Sequence, residues 1–428
     1  MKQAYRSAIC HCLADPGETG DASAMQFIED GLLIVEDGIV SDIGDAMALL
    51  EAHDDIAVDE YPGRIITPGF IDCHVHFPQI DVIASHGEQL LDWLERYAYP
   101  GEKRFADSGY AKAAADFFLD ELLKNGTTTA AVFATVYPQS ADAIFDAAYR
   151  RNMRLIAGKV LMDRNSPPDL SDDPQSAYDD SKALIARWHG KGRLGYAITP
   201  RFAITSSEEQ LEAAGKLADE HPDAWVHTHL AENRDEIDEV ARLFSWSNSY
   251  LDVYDRYGLL RERSLFAHCL YLEHDDRRKM SDRGAAAIFC PASNLFLGSG
   301  LFDLREMNAA GVNVGIATDV GGGTSLSMLR TMAAAYEVLQ LRGQNLSASR
   351  ALYLGTLGAA VALGLDSHIG NLLPGKEADF VVLDPAATPL SERRSAALDS
   401  IEEKLFALMI LGDDRHIEAT YICGERGY

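Results

Sequence analysis

Short apolar runs of β-type residues recur along the middle of this chain, and stretches of helical spacing separate them. Eight runs stand out: Ile65–Phe77, Thr127–Ala134, Arg154–Asp163, Leu194–Phe202, Ala224–Glu232, Ser264–Leu272, Ala285–Ser293 and Asn313–Val320. Asp107–Lys124 and Ser207–Glu220 carry the apolar periodicity of amphipathic helices. Ser206 and Ser207, followed by Glu208-Glu209-Gln210, read as an N-cap with acids in the first helical turn. Eight strands alternating with helices indicate an α/β chain with a (β/α)8 TIM-type barrel. The competing arrangement is an open doubly wound sheet, but no Gly-x-Gly-x-x-Gly turn supports it.

The two chain ends have a different character. Gly31–Gly38 reads as a strand closing on a turn at Asp37-Gly38, Ala378–Asp384 as a second strand, and Ile417–Cys423 as a third with alternating pattern. They are expected to pair into one small β-sandwich domain built from both ends. The boundaries drawn are 1–64 and 366–428 for its two parts, with the barrel over 65–365. Residues 164–180, rich in Pro, Asp and Ser, read as a surface loop.

Composition narrows the partners. The 428 residues are 47% hydrophobic and 24% charged, enough for a large buried core. The net charge of −28 repels nucleic acid and anionic membrane, so neither is an expected partner. Cys10, Cys12, Cys73, Cys269, Cys290 and Cys423 form no closely paired framework, which fits a reduced, cytoplasmic chain. Cys10-His11-Cys12 resembles a metal motif but lacks a partner pair. No signal peptide and no 18-residue apolar run is seen, so the expected location is the cytoplasm.

The chemistry sits at the ends of the apolar runs. His74 and His76 form a His-x-His pair, and strand alternation turns both imidazoles to one side. Gly69, just before them, is a candidate turn residue. His229 is preferred to His227 on the same strand because Glu232 follows it at the strand exit. His268 closes the next run. Asp319 ends an apolar strand, where a carboxylate is costly to bury unless it is paired or bound to a metal. A parallel barrel collects such ends at one face, and there these five groups can close on one cation. Three imidazoles and a carboxylate suit Zn2+ better than nickel or iron. His268 either binds that metal or hydrogen-bonds a hydroxide on it, Asp319 is a candidate ligand and proton acceptor, and Glu232 a candidate proton shuttle. His86-Gly87-Glu88 mimics another type of zinc site, but the Pro-Cys-x-x-Cys that must accompany it is missing.

At these residues the chain resembles the amidohydrolase superfamily of metal-dependent hydrolases, over nearly its whole length. The motif Pro68-Gly-Phe-Ile-Asp-Cys-His-Val-His76, one histidine after each of two later strands, and the late Asp319 carry the likeness. Phe77-Pro78-Gln79, a loop over Leu91–Tyr97 with Pro100, Thr199–Phe202, His229–Glu232, Cys290–Gly300 and Thr318–Ser325 are most similar to its guanine-deaminating members. The resemblance implies one zinc per chain held by His74, His76, His229 and Asp319, with catalytic roles for Glu232, His268 and Asp319. It implies that Gln79, Arg201 and Phe202 hold a purine, with Trp93, His76 and His229 beside it. Arg201 offers a fixed fork of donors, Gln79 both donor and acceptor, and Phe202 and Trp93 flat apolar faces. The implied reaction is hydrolysis of guanine to xanthine and ammonia, the implied partner a small purine, and the implied assembly a homodimer. Two alternatives stay open. One is a deaminase or chlorohydrolase of another nitrogen heterocycle. The other is a metal-free scaffold, whose expected loss of the metal residues is not seen.

Overall fold

Each of the eight apolar runs contains a strand in the computed structural model, which describes residues 2–53, 55–87 and 89–428. Glu88 of the His86-Gly87-Glu88 mimic lies outside them. The strands are β1 (Phe70–His76), β2 (Thr127–Phe133), β3 (Arg154–Gly158, continued by Val160–Leu161), β4 (Leu194–Pro200), β5 (Trp225–Leu230), β6 (Ser264–His268), β7 (Ala286–Phe289) and β8 (Asn313–Ile316). They neighbour one another in chain order from β1 to β8. From β3 onward neighbouring strands pair in parallel, for example Val226 with Ser264 and Ala286 with Asn313. β1, β2 and β4 are buried at every residue. Covered on both faces, such strands read as continuous apolar runs and not as alternating ones.

The seam between the last strand and the first is closed by backbone hydrogen bonds just past the strand ends. Asp319 N donates to His74 O at 2.9 Å and His76 N to Val320 O at 2.7 Å. The sheet is therefore a closed barrel, as the rhythm of the sequence implies.

The chain divides into two compact units. One comprises Cys73–Leu119 and Ala130–Ser325; the other comprises Met1–Asp72, Asp120–Thr129 and Leu326–Tyr428. In the latter, both chain ends pair in one mixed seven-stranded sheet. Its order is Glu425–Arg426, Ile417–Ile422, Phe380–Leu383, Val58–Pro68, Lys2–Cys12, Met25–Glu36 and Ile39–Asp45. The last two join through Asp37 and Gly38, both with positive φ (51° and 85°), the geometry a tight hairpin demands. Ile9, Leu33, Val35, Ile66, Phe380 and Tyr421 form its main core. Gly69 is not a turn residue: its φ is not left-handed, and a Cβ there would overlap the Thr128 side chain. The glycine allows close packing at the start of β1.

One further sequence expectation needs adjusting. Residues 164–180 are not loop throughout, because a helix spans Pro174–Trp188. Asp173 caps it by accepting from the Gln175 and Ser176 N–H groups, with Pro174 at its first position. The Pro/Asp/Ser composition that suggested a loop is helix-start chemistry. The Ser207 cap is present as read: its hydroxyl accepts from Gln210 N at 3.0 Å. Among the described residues no helix is long and apolar enough to cross a membrane.

His11, between its two cysteines, uses both ring nitrogens in hydrogen bonds. Nε2 lies 2.9 Å from Gln26 Oε1, and Nδ1 accepts from Leu372 N at 3.4 Å. Burial, only partly opposed by Gln26, pulls its pKa from 6.5 down to about 4. Between those values the unfolded chain binds a proton that the folded chain refuses, so stability rises with pH across that window. The full contribution, up to about 3 kcal/mol, is present above pH 6.5 and is lost as pH falls toward 4. In urea melts the gain in stability from pH 5 to pH 7.5 should shrink in His11→Gln; an unchanged gain would exclude His11 as its source.

Candidate active site

The five groups picked out at the run ends meet at the carboxyl end of the barrel. His74 and His76 lie at the end of β1 and His229 near the end of β5, while His268 is the last residue of β6. Asp319 follows the end of β8. His268 and Asp319 adopt left-handed backbone conformations, with φ of 73° and 50°. Strain of this kind costs of order 1–3 kcal/mol and persists where the surroundings impose it. Here it turns the two side chains off their strands and over the barrel mouth.

Three imidazole nitrogens and one carboxylate oxygen then surround a single point. His76 Nε2 is 3.1 Å from His74 Nε2 and 3.2 Å from His229 Nε2. Asp319 Oδ1 is 3.3 Å from His74 Nε2 and 3.4 Å from His76 Nε2. Ligands bound to zinc at 2.0–2.1 Å in a tetrahedron have edges of about 3.3 Å. The separations are thus those of a cation-binding set. His74, His76 and Asp319 form one group able to hold a metal, and His268 joins overlapping groups with His74 and His229 and with Cys290 and Asp319.

The outward nitrogens explain why the inward ones are available. His229 Nδ1 lies 2.7 Å from Arg201 O, a group that can only accept, so Nδ1 carries the proton and Nε2 turns its lone pair inward. His74 Nδ1 is 2.8 Å from His227 Nε2. His227, weighed from sequence as a rival ligand, therefore stands behind His74 and orients it. Asn294 Nδ2 is 2.9 Å from His268 Nδ1. With the amide as donor, the proton of His268 sits on Nε2, which faces Glu232 Oε2 at 3.3 Å and Asp319 Oδ2 at 3.8 Å. Beneath the cluster, the Phe133 ring lies 4.6–5.0 Å from the ring centres of His74, His76, His227 and His229.

Burial sets the protonation states. It pulls His76 down to about 4, His268 to about 3, and His229 well below its ordinary value. Burial raises the Asp319 carboxyl, but the His74 and His76 nitrogens outweigh that and hold it well below the usual range. Burial thus disfavours the charged form of His76, His229 and His268, and imidazole lone pairs beside a carboxylate make a donor set suited to a cation. Glu232 goes the other way: burial, then the Asp319 and Glu236 carboxyls, push it well above its usual value. Glu236 sits close by because it caps the helix Arg234–Leu243, where it accepts from Glu232 N and Asn233 N at 2.8 and 3.0 Å.

A cleft of about 400 Å³ opens over the cluster, lined by His76, His229, Glu232, His268 and Asp319 and by Gln79, Arg201, Phe202 and Trp93. All the residues singled out from sequence except His74 line it; His74 is fully buried beneath. Trp93 arrives by an unexpected route. The segment read as a loop over 91–97 is helical, running through Leu90–Trp93, a π-turn at Leu94–Ala98 and Tyr99–Glu102. That path also delivers Glu102, which sequence reasoning missed. Glu102 is 1% exposed and receives Gln79 Nε2 at 2.9 Å and Arg201 Nη1 at 2.9 and 2.8 Å. The signal was present: an acid directly after Tyr99-Pro100-Gly101, on a segment whose other inward residues are apolar. Phe133 and Asn294 were missed as well, because an apolar strand residue and a lone amide look like ordinary core.

A parallel barrel that gathers histidines and an aspartate at its carboxyl face defines a class, the barrel hydrolases with a metal-binding mouth. The chain belongs to the amidohydrolase family, whose pattern matches residues 65–426. It is 52% identical to guanine deaminase of Escherichia coli K12 over 95% of this chain and 93% of that one. The solved E. coli guanine deaminase superposes with a TM-score of 0.97 at 50% identity, covering 100% of this chain and 99% of the other. A guanine deaminase from C. acetobutylicum, solved with guanine in its active site, superposes with a TM-score of 0.91 at 28% identity over 100% of both chains.

Phe133 supplies a test of how the cluster is supported. Phe133→Ala should cost about 3–5 kcal/mol in a urea melt, and Phe133→Leu less, because the ring fills the floor under four imidazoles. A loss below about 1 kcal/mol for the alanine variant would mean that the ring is not supporting the cluster.

Proposed function

We propose that the chain is a zinc-dependent aminohydrolase that converts guanine to xanthine and ammonia. The observation that carries this reading is the facing of Glu232 and His268 across the His/Asp cluster, at 3.3 Å, in the cleft that also presents Arg201 and Gln79. The relatives named guanine deaminase support the choice of substrate.

One zinc ion fits His74, His76, His229 and Asp319, and when bound it supplies hydroxide near neutral pH by lowering the pKa of water to about 7. The side chains do the rest. Arg201 and Gln79 hold the O6 edge of the purine, while Phe202 and Trp93 flank its ring. Glu232, protonated because it is buried among carboxyls, gives its proton to a ring nitrogen as the attacking oxygen bonds to C2. His268 donates a hydrogen bond from Nε2 to that oxygen. Asp319 accepts the proton of the attacking water and passes it to the amino group, which leaves as ammonia. The remaining proton of the water leaves the C2 oxygen for Glu232, which regains its acid form, so one water is consumed and a carbonyl remains at C2.

The test is ammonia release from guanine, with and without a chelator, beside a panel of adenine-type and triazine compounds. Turnover of guanine that disappears with chelation is expected. Turnover of the other heterocycles without guanine would refute the substrate assignment. Glu232→Gln should lower kcat by at least about a hundredfold while metal content stays at one ion per chain. Full activity in that variant would remove Glu232 from the proton path.

A further inference from the structure

Glu102 joins the two groups assigned to the purine carbonyl into one unit. Its two oxygens receive Arg201 Nη1 at 2.9 and 2.8 Å, and Oε1 also receives Gln79 Nε2 at 2.9 Å. The Gln79 amide is held from the other end, where Oε1 accepts from Gly321 N at 3.2 Å. A carboxylate can only accept and a backbone N–H can only donate, so these neighbours dictate which way the amide points. The Tyr99 ring lies 5.3 Å from the Arg201 guanidinium carbon, and Arg201 is 2% exposed. Neither recognition group has to be ordered by a ligand, because a buried carboxylate has already done so.

The same contact changes what the cleft can recognise. An unpaired buried arginine is an anion site, since its charge and fork of donors favour carboxylate or phosphate. Here the positive charge is already matched by Glu102 within hydrogen-bond distance. What Arg201 and Gln79 still offer is their remaining N–H groups. Those suit the oxygen of an uncharged lactam. An anion in place of that oxygen would lose its hydration and find the guanidinium charge beside it already matched.

We propose that Glu102 is a positioning residue that makes this cleft select uncharged purine lactams and discriminate against purine anions. The proposal rests on the purine reading above. It extends it from the identity of the substrate to the charge state that the cleft accepts, and it favours departure of the deaminated product once that product has ionised.

The experiment uses the zinc-loaded enzyme and two competitive ligands, hypoxanthine, which is neutral, and purine-6-carboxylate, which is an anion. Wild type should bind hypoxanthine at least about tenfold more tightly. In Glu102→Gln, checked for native circular dichroism, guanine KM should rise about tenfold or more with kcat changed less than about threefold. The carboxylate should gain about tenfold relative to hypoxanthine in that variant, a ratio in which the difference in ligand size cancels. Glu102→Asp keeps the charge, so it should raise KM while retaining the neutral preference. An unchanged ligand ratio in Glu102→Gln overturns the proposal, and so does wild-type binding of the carboxylate as tight as that of hypoxanthine; the second comparison needs no variant to fold. If wild type releases ammonia from guanine and the ratios do not move, only the role of Glu102 falls. If wild type neither turns over guanine nor binds either ligand, the purine reading falls with it.

Discussion

A carboxylate buried against imidazoles is the interaction on which this barrel is built. Asp319 and the Nε2 atoms of His74, His76 and His229 are held closer together than unlinked lone pairs would choose. His229 has committed its proton to Arg201 O, so its Nε2 meets the others as a lone pair. A cation placed among these atoms would turn their crowding into shared bonds. The left-handed backbone at His268 and Asp319 and the aromatic floor of Phe133 follow from the need to keep such a set in register.

Around that centre the polar groups are layered. His227, Asn294 and the Arg201 carbonyl each address the outward nitrogen of one imidazole and so fix where its inward face looks. Arg201 does this with its backbone while its side chain, tied to Glu102, faces the cleft. One residue therefore links the orientation of His229 to the lining of the cleft. Glu236 has a comparable double duty: its carboxyl caps a helix and at the same time disfavours charge on Glu232.

The sequence was most legible where chemistry and secondary structure change together. His74, His76, His229, His268 and Asp319 each interrupt or terminate an apolar run, and an ionisable group at that point is expensive enough to stand out. The barrel followed from the same runs, because strands covered on both faces have no polar alternation to confuse them. What escaped notice lacked that contrast. Glu102 lies on a short helical path broken by Pro100 and a π-turn, so its inward direction could not be counted from a regular period. Gly69 looked like a turn, but the reason for it is the side chain of Thr128, a neighbour distant in sequence. Pro174 and its neighbours looked like a loop, because a helix start and a loop draw on the same residues.

The barrel seam gives the site a second significance. Its closure between first and last strands passes through His74, His76, Asp319 and Val320, and three of these four residues also present side chains to the central point. An ion held there would act as a clasp across the one junction that the chain cannot complete until nearly all of the barrel has been synthesised. A barrel that is misregistered or unfinished would not bring these side chains together to retain it.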